Sequence, residues 1–312
     1  MSLSLDPKQL SALHAVIEEQ SFDKAAKRLH VTQSAISQRI RQLEEKLGQA
    51  VIIRSTPLVP TATGQRVLKF YHQLSLLEGE LSLSLDQATE QGFSRMPVAV
   101  NADSLDTWFP EALAPLVDQH PWVLDIKIDD QEQTHHLLKT GEVLGCVSAS
   151  SQAMQGCDCF PLGVMRYRAL ATPGYIARYF PEGVTEETVA EAPVVEFNHK
   201  DELQNHFLRH IGLNGALYPK HRIPATGPYF HLIRLGLGWG MVPDQQSQPY
   251  LDLNDPENSI VAELVPGQTI DVPLYWHVWN LKSESLKLLT KAVIKGAEEN
   301  LTKIHSEPFQ RT

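Results

Sequence analysis

Apolar residues in the first fifth of the chain recur at helical spacing. Leu10, Leu13 and Ile17, with Ala15 and Val16 beside them, predict a first helix from near Asp6-Pro7 to Glu19, and Pro7 is tolerated in its first turn. Ser21 is placed to cap a short second helix over about Phe22 to Leu29, whose Ala25-Ala26 pair lets another helix cross closely. His30-Val31 makes the turn. Thr32 caps a third helix in which Ile36, Ile40, Leu43 and Leu47 fall at i, i+4, i+7 and i+11 as a buried stripe. Gly48 ends it, and "QAVIIR" followed by "STPLVPT" predicts two short strands and a turn, a wing. From Thr61 the spacing is helical again. Val67, Phe70, Leu74, Leu77 and Leu81 alternate steps of three and four residues, a heptad seam too long to be buried on a small winged domain, which predicts pairing with a second chain.

The pattern changes after residue 93. "RMPVAVNADSLDTWFPEALAPLVDQHPWVLDIKIDD" predicts strand, helix, strand, the helix beginning at Asn101-Ala102-Asp103-Ser104. "GEVLGCVSAS" is a further buried strand. The segment "APVVEFN", the helix "GPYFHLIRLGLG", the strands "WGMVP" and "LYWHVWN" and the closing helix "LKLLTKAVIKGAEENL" complete two α/β lobes with a cleft between them. The fold class is therefore α+β multidomain: a winged helix-turn-helix over residues 1–60, a linker and dimerisation helix over 61–92, and a two-lobed α/β effector-binding domain over 93–312.

Chemistry follows from what the apolar stripes leave outside. Gln33, Ser34, Ser37, Gln38, Arg39 and Arg41 lie off the stripe of the third helix, next to Thr32, with no acid between Thr32 and Leu43. A merely solvated face favours Glu and Lys; these residue types hydrogen-bond base edges and phosphates in a major groove. Arg54 stands where a wing residue reaches a phosphate or the minor groove. The partner implied is double-stranded DNA, read by a two-fold protein at paired half-sites.

Charge sharpens this reading. The net charge is −10, but residues 1–92 hold ten Lys/Arg and ten Asp/Glu, so DNA binding must come from locally clustered cations. The excess of acid belongs to residues 93–312, with seventeen Lys/Arg against twenty-seven Asp/Glu. In the cleft, helix N-termini at Asp103-Ser104 and at Thr226 offer donors to a carboxylate, and Asp129, Asp130 and Glu132 at a strand end can face a cation. Together they fit a zwitterionic ligand with an extra positive charge.

Other functional classes find less support. No leader and no run of about 18 apolar residues is present, which predicts a cytoplasmic protein with no membrane span. Cys146, Cys157 and Cys159 lack metal-ligand spacing and are expected to be free thiols. In "HFLRH", His206 and His210 are spaced for a metal with His199 nearby, but Phe207 stands where a zinc hydrolase needs Glu, and His135-His136 point to different helix faces. "GLGWG" follows a helix and leads into a strand, the wrong order for cradling phosphate. No catalytic residue, metal or cofactor is expected, and the chain is not read as an enzyme. A metal-dependent enzyme and a stand-alone solute-binding protein remain the remote alternatives; the second leaves residues 1–90 unexplained.

The segment "AAKRLHVTQSAISQRIRQLEEKLGQAVIIR…PTATG" resembles the N-terminal signature of LysR-type transcriptional regulators over about the first 90 residues. The wing is a residue shorter than the family's usual one and carries Pro60 before Thr61. By matching position the resemblance implies DNA-reading roles for Gln33, Ser34, Ser37 and Arg39, an effector domain similar to periplasmic solute-binding proteins, and a homodimer or tetramer with RNA polymerase as a further partner. "VAVNADSL..WF", "GEVLGCVS" and "LYWH" resemble the arginine- and lysine-responsive ArgP/LysG group, some members of which are described as inhibitors of chromosome replication initiation. That resemblance implies control of basic amino-acid export or metabolism genes in response to arginine or lysine. A LysR-type regulator with a different small-molecule effector is the alternative.

Overall fold

The structure is a computed structural model that describes residues 4–84, 93–128, 131–214, 217–256 and 258–303. Its N-terminal unit is built from α1 (Pro7–Glu19), α2 (Phe22–Arg28), α3 (Gln33–Leu47), the antiparallel strands β1 (Ile52–Ile53) and β2 (Val59–Pro60), and α4 (Ala62–Ser84). The first three helices start where side-chain oxygens satisfy free backbone N–H groups: Asp6 accepts from Lys8, Ser21 from Lys24 and Thr32 from Ala35. Leu10, Leu13, Val16, Ala25, Ala26, Ile36, Ile40 and Leu43 close a small core.

"PTATG" has a local explanation. The Thr61 hydroxyl donates to the Ala50 carbonyl and accepts from the Gly64 N–H. A Cβ on Gly64 would come within 2.0 Å of the Val51 carbonyl oxygen, so only glycine lets α4 begin this close to β1.

The second part runs β3 (Ser94–Val100), α5 (Ala102–Asp106), α6 (Phe109–Gln119), β4 (Trp122–Ile128), α7 (Gln131–Thr140), β5 (Gly145–Ser148), β6 (Cys157–Ala171), α8 (Pro173–Tyr179), α9 (Glu186–Glu191), β7 (Val194–Glu196), α10 (Leu203–His210), β8 (Lys220–Arg222), α11 (Thr226–Arg234), β9 (Gly240–Pro243), α12 (Asp244–Ser247), β10 (Ala262–Glu263), β11 (Thr269–Trp279) and α13 (Glu284–Asn300). Strands β10-β6-β11-β5-β3-β4 form one continuous path, with β9 on β6, while β7 and β8 form a parallel pair joined to β9's neighbourhood by the Val194–Trp239 bridge. The expected lobes therefore share strands. The last residues of β11 pair with β5 on one side and with the first residues of β6 on the other, whereas later residues of β6 pair with β9 and β10.

The helix expected from Asn101 onward is broken in two at Thr107-Trp108. Trp108 is 1 % exposed, and Pro110 favours a fresh helix start immediately after it. Helix α6 then packs on α13, where a Cβ on Gly296 would meet Ala112 at 2.2 Å.

Three chain segments meet where the N-terminal unit touches the second part. His72 of α4 places Nδ1 on the Gly141 carbonyl after α7 and Nε2 at 3.2 Å from Nδ1 of His14 in α1. A carbonyl only accepts, so neutral His72 carries its proton on Nδ1 and receives Nδ1–H of His14 at Nε2. Beside them Arg95 bridges Glu18 of α1 at 3.1 Å and Asp125 of β4 at 2.8 Å. Burial pushes the His14 ring down from 6.5 to about 4; repulsion between the two rings when both are protonated adds to this, and Glu18 opposes it.

Candidate functional site

Two surfaces carry the expected chemistry. On the first, Thr32, Gln33, Ser34, Gln38 and Arg41 are exposed and Ser37 and Arg39 half-buried, all of them off the buried stripe Ile36, Ile40 and Leu43. Thr32 caps the helix and its hydroxyl lies 2.9 Å from that of Ser34, which orients both at the helix N-terminus. Neither Arg39 nor Arg41 has an acid partner among the described residues, in contrast to Arg28, which pairs with Glu18 and Glu19. Arg54 is exposed on the wing, its guanidinium 5.6 Å from the centre of the Phe22 ring. Gln20, in the left-handed region at φ 52, donates to the carbonyls of Ile17 and Leu58 and so ties α1 to the wing.

The seam on α4 needs a correction. Val67 is only 6 % exposed and Leu74 half-buried, and both pack into the core of their own N-terminal unit, because α1 lies along that side of α4. Phe70, Leu77 and Leu81 are left outward, at 46 %, 37 % and 58 % exposure. An apolar groove lined by Leu5, Leu10, Leu47, Val67, Phe70 and Leu74 continues this face.

The second surface lies at the C-terminal edge of the parallel strands β3, β4 and β5, where ligands of open α/β sheets bind. Asp103 and Ser104 follow β3 in α5. The Tyr167 hydroxyl of β6 donates to Asp103 Oδ2 at 2.7 Å, and Asp103 has no cationic partner among the described residues. Burial raises its carboxyl from 3.8 to about 6; the Tyr167 bond opposes this, and Asp201 and Asp106 add to it. Ser104 is fully buried, and neither its Oγ nor Asn101 Oδ1 has a hydrogen-bond partner among the described residues.

Thr226, half-buried, opens α11, which packs against α5. Asp129 and Asp130 lie outside the described residues, as does the side chain of Glu132 in the first turn of α7. Residues that the sequence reading did not single out complete the surroundings. Gln204, fully buried, donates through Nε2 to Asp201 Oδ2 at 3.1 Å, the Val195 carbonyl at 3.1 Å and the Tyr229 hydroxyl at 3.2 Å, while its Oε1 has no partner among the described residues. A Gln in a short amphipathic helix gives no signal of burial, and Tyr167 sits in an ordinary strand alternation; only their meeting marks them.

The expected free thiols are Cys146, buried with its thiol pushed up to about 12, and the half-buried Cys157 and Cys159. His206 and His210 are exposed on α10, and among the described residues no group of three or more His, Cys, Asp or Glu is placed to hold a metal. Among the same residues no helix is long and apolar enough to cross a membrane.

Residues 7–65 match the model of the bacterial regulatory helix-turn-helix protein, lysR family, and residues 94–293 that of the LysR substrate binding domain. The chain belongs to the LysR family. This LysR-type chain is 41 % identical to the HTH-type transcriptional regulator ArgP of Pseudomonas aeruginosa (strain UCBPP-PA14) over 300 residues, 96 % of this chain and 98 % of that protein. To the regulator LysG of Mycobacterium tuberculosis (strain ATCC 25618 / H37Rv) it is 37 % identical over 294 residues, 94 % of each. Among solved structures, ArgP from Mycobacterium tuberculosis superposes with a TM-score of 0.84 at 36 % identity, covering 96 % of this chain and 99 % of that one. Full-length LysG from Corynebacterium glutamicum with bound effector Arg gives 0.76 at 32 % identity, covering 95 % and 99 %. The LysR-type chain is thus a DNA-binding transcriptional regulator of the ArgP/LysG type.

Proposed function

We propose that this regulator controls genes of basic amino-acid export or metabolism in the cytoplasm, that arginine or lysine is its effector, and that it acts by binding alone, without catalysing a reaction. The observation that carries the effector reading is Asp103, an enclosed carboxyl at the C-terminal edge of β3 with a phenol but, among the described residues, no cation against it. A cationic ligand offsets the desolvation of that carboxylate, and the Ser104 hydroxyl is a donor for the ligand's own carboxylate. The arginine held by the related LysG supports the same ligand class.

DNA is read by Gln33, Ser34, Ser37 and Arg39, with Thr32, Gln38, Arg41 and Arg54 at the phosphates, and two copies pair through Phe70, Leu77 and Leu81 of α4. Calorimetric titration of the full chain with the twenty common amino acids tests the effector: saturable heats for arginine or lysine are expected. Binding only of an aromatic or aliphatic acid sinks the effector reading and leaves DNA recognition untouched.

A further inference from the structure

We propose that Asp201 and Gln204 form the half of the effector site contributed by the lobe of β7 and α10, with Asp201 receiving the distal cation of a basic amino acid while Asp103 receives its α-amine. This rests on the basic amino-acid reading and adds how the site counts charge.

The argument starts from the two carboxyl groups. Asp103 belongs to α5 and Asp201 to the turn before α10, yet α11, which carries Tyr229, packs on α5, and β9, whose Met241 holds Tyr229, pairs with the strand of Tyr167, so the two carboxyl groups come to the same region, where the Asp201 carboxylate hinders ionisation of Asp103. Tyrosines link their surroundings: Tyr167 donates to Asp103, and Tyr229, which exchanges hydrogen bonds with the Met241 backbone, receives Gln204, itself bonded to Asp201. Asp201 is held in place by the N–H groups of Phe197, at 2.9 Å on Oδ2, and Leu203, at 3.2 Å on Oδ1. A carboxylate has about four acceptor positions, so these bonds and that of Gln204 leave capacity for a ligand.

Buried atoms without partners among the described residues lie on both lobes: Ser104 Oγ and Asn101 Oδ1 on one, Gln204 Oε1 on the other. Buried polar groups are normally paired, and such a set is what a ligand with both donors and acceptors satisfies. Gln204 is fully buried, its Nε2 already fixed by three acceptors, so Oε1 is held ready for a donor such as an ammonium or guanidinium N–H.

Assignment of the two ends follows from connectivity. The α-amine and α-carboxylate of an amino acid share one carbon, so a carboxylate held at Ser104 brings the α-amine to the adjacent Asp103. The other end of the ligand is left for the opposite lobe. A neutral amino acid brings one cation for two carboxylates; a basic amino acid such as arginine or lysine brings two and so neutralises the Asp103–Asp201 pair. Selection against neutral amino acids is therefore built from uncompensated charge as well as from new contacts.

The test is calorimetry on the full chain with arginine, lysine and citrulline, which keeps the shape of arginine without the distal charge. Asp201→Asn is expected to weaken arginine and lysine about tenfold to a hundredfold and to change citrulline by less than about threefold, the loss of one charge-assisted bond. Asp201→Ser, which keeps a capping oxygen for the Leu203 N–H, is expected to lose the same selectivity and guards against a folding defect in the first variant. Unchanged arginine affinity in either folded variant overturns the assignment, as does an equal loss for all three ligands, which would mark Asp201 as a scaffold for α10. A parent chain that binds neither arginine nor lysine overturns the underlying effector reading and this inference with it.

Discussion

Acidification should loosen the junction of α1, α4 and the α7–β5 turn through His14. Its imidazole is displaced from 6.5 to about 4 by burial, so the folded state binds this proton less readily than the unfolded chain does. The contribution to stability is complete above 6.5 and is lost as the pH falls from there toward 4. Evaluating that linkage between pH 7.5 and pH 5 gives a loss of about 2 kcal/mol from His14. His72, also lowered by burial, acts in the same direction. The perturbation is His14→Asn, in which the amide N–H stands in for Nδ1–H toward His72 Nε2, 3.2 Å away, but cannot titrate. Urea unfolding of parent and variant at one protein concentration, at both pH values, is the assay. The variant should show a pH-dependent loss smaller than the parent's by about 2 kcal/mol, whatever the other titrating groups contribute to both. Equal pH dependence in the two proteins would refute the account of the junction.

Gln33→Ala should weaken a specific site by about 1–3 kcal/mol and random duplex little, as measured by fluorescence anisotropy; equal losses would remove Gln33 from base reading. Replacing Leu77 and Leu81 by Asp puts charge on the outward stripe of α4, and sedimentation should then show monomers; a persisting dimer would place the interface elsewhere. The Asp103 carboxyl, raised to about 6, must ionise to hold a cation, so arginine affinity should be flat above that pH and fall as the pH drops through it, a step that Asp103→Asn abolishes along with most of the binding. Gly64→Ala, whose Cβ would sit 2.0 Å from the Val51 carbonyl oxygen, should lower the thermal midpoint of the N-terminal unit by several degrees, and an unchanged midpoint would show that α4 can shift without cost.

The helix-turn-helix was legible residue by residue because its information is local. Caps at Asp6, Ser21 and Thr32 and the stripe Ile36, Ile40, Leu43 act within a turn or two of their own position, so the sequence determines the helices, and the faces they leave exposed, before any tertiary contact is made. Apolar periodicity alone overreached on α4: it marks every residue that avoids water and is silent on which neighbour provides the shelter. Val67 and Leu74 turned inward to α1, while Phe70, Leu77 and Leu81 did not. The shared strands β6 and β11 were likewise invisible, since hydrogen bonds to two lobes leave no periodicity that bonds to one would lack.

The effector site divides in the same way. Asp103 and Ser104 could be named because they follow a strand and open a helix, a position that supplies donors by itself. Tyr167, Asp201, Gln204 and Tyr229 could not, since each is unremarkable in its own segment and the bonds that assemble them span 25 residues from Gln204 to Tyr229 and 64 from Asp103 to Tyr167. The burial of Tyr167, Gln204 and Tyr229, and with it the upward displacement of Asp103, is a property of the packed lobes: desolvation and the nearby charge of Asp201 exist only once α5, β6, α10 and α11 are brought together.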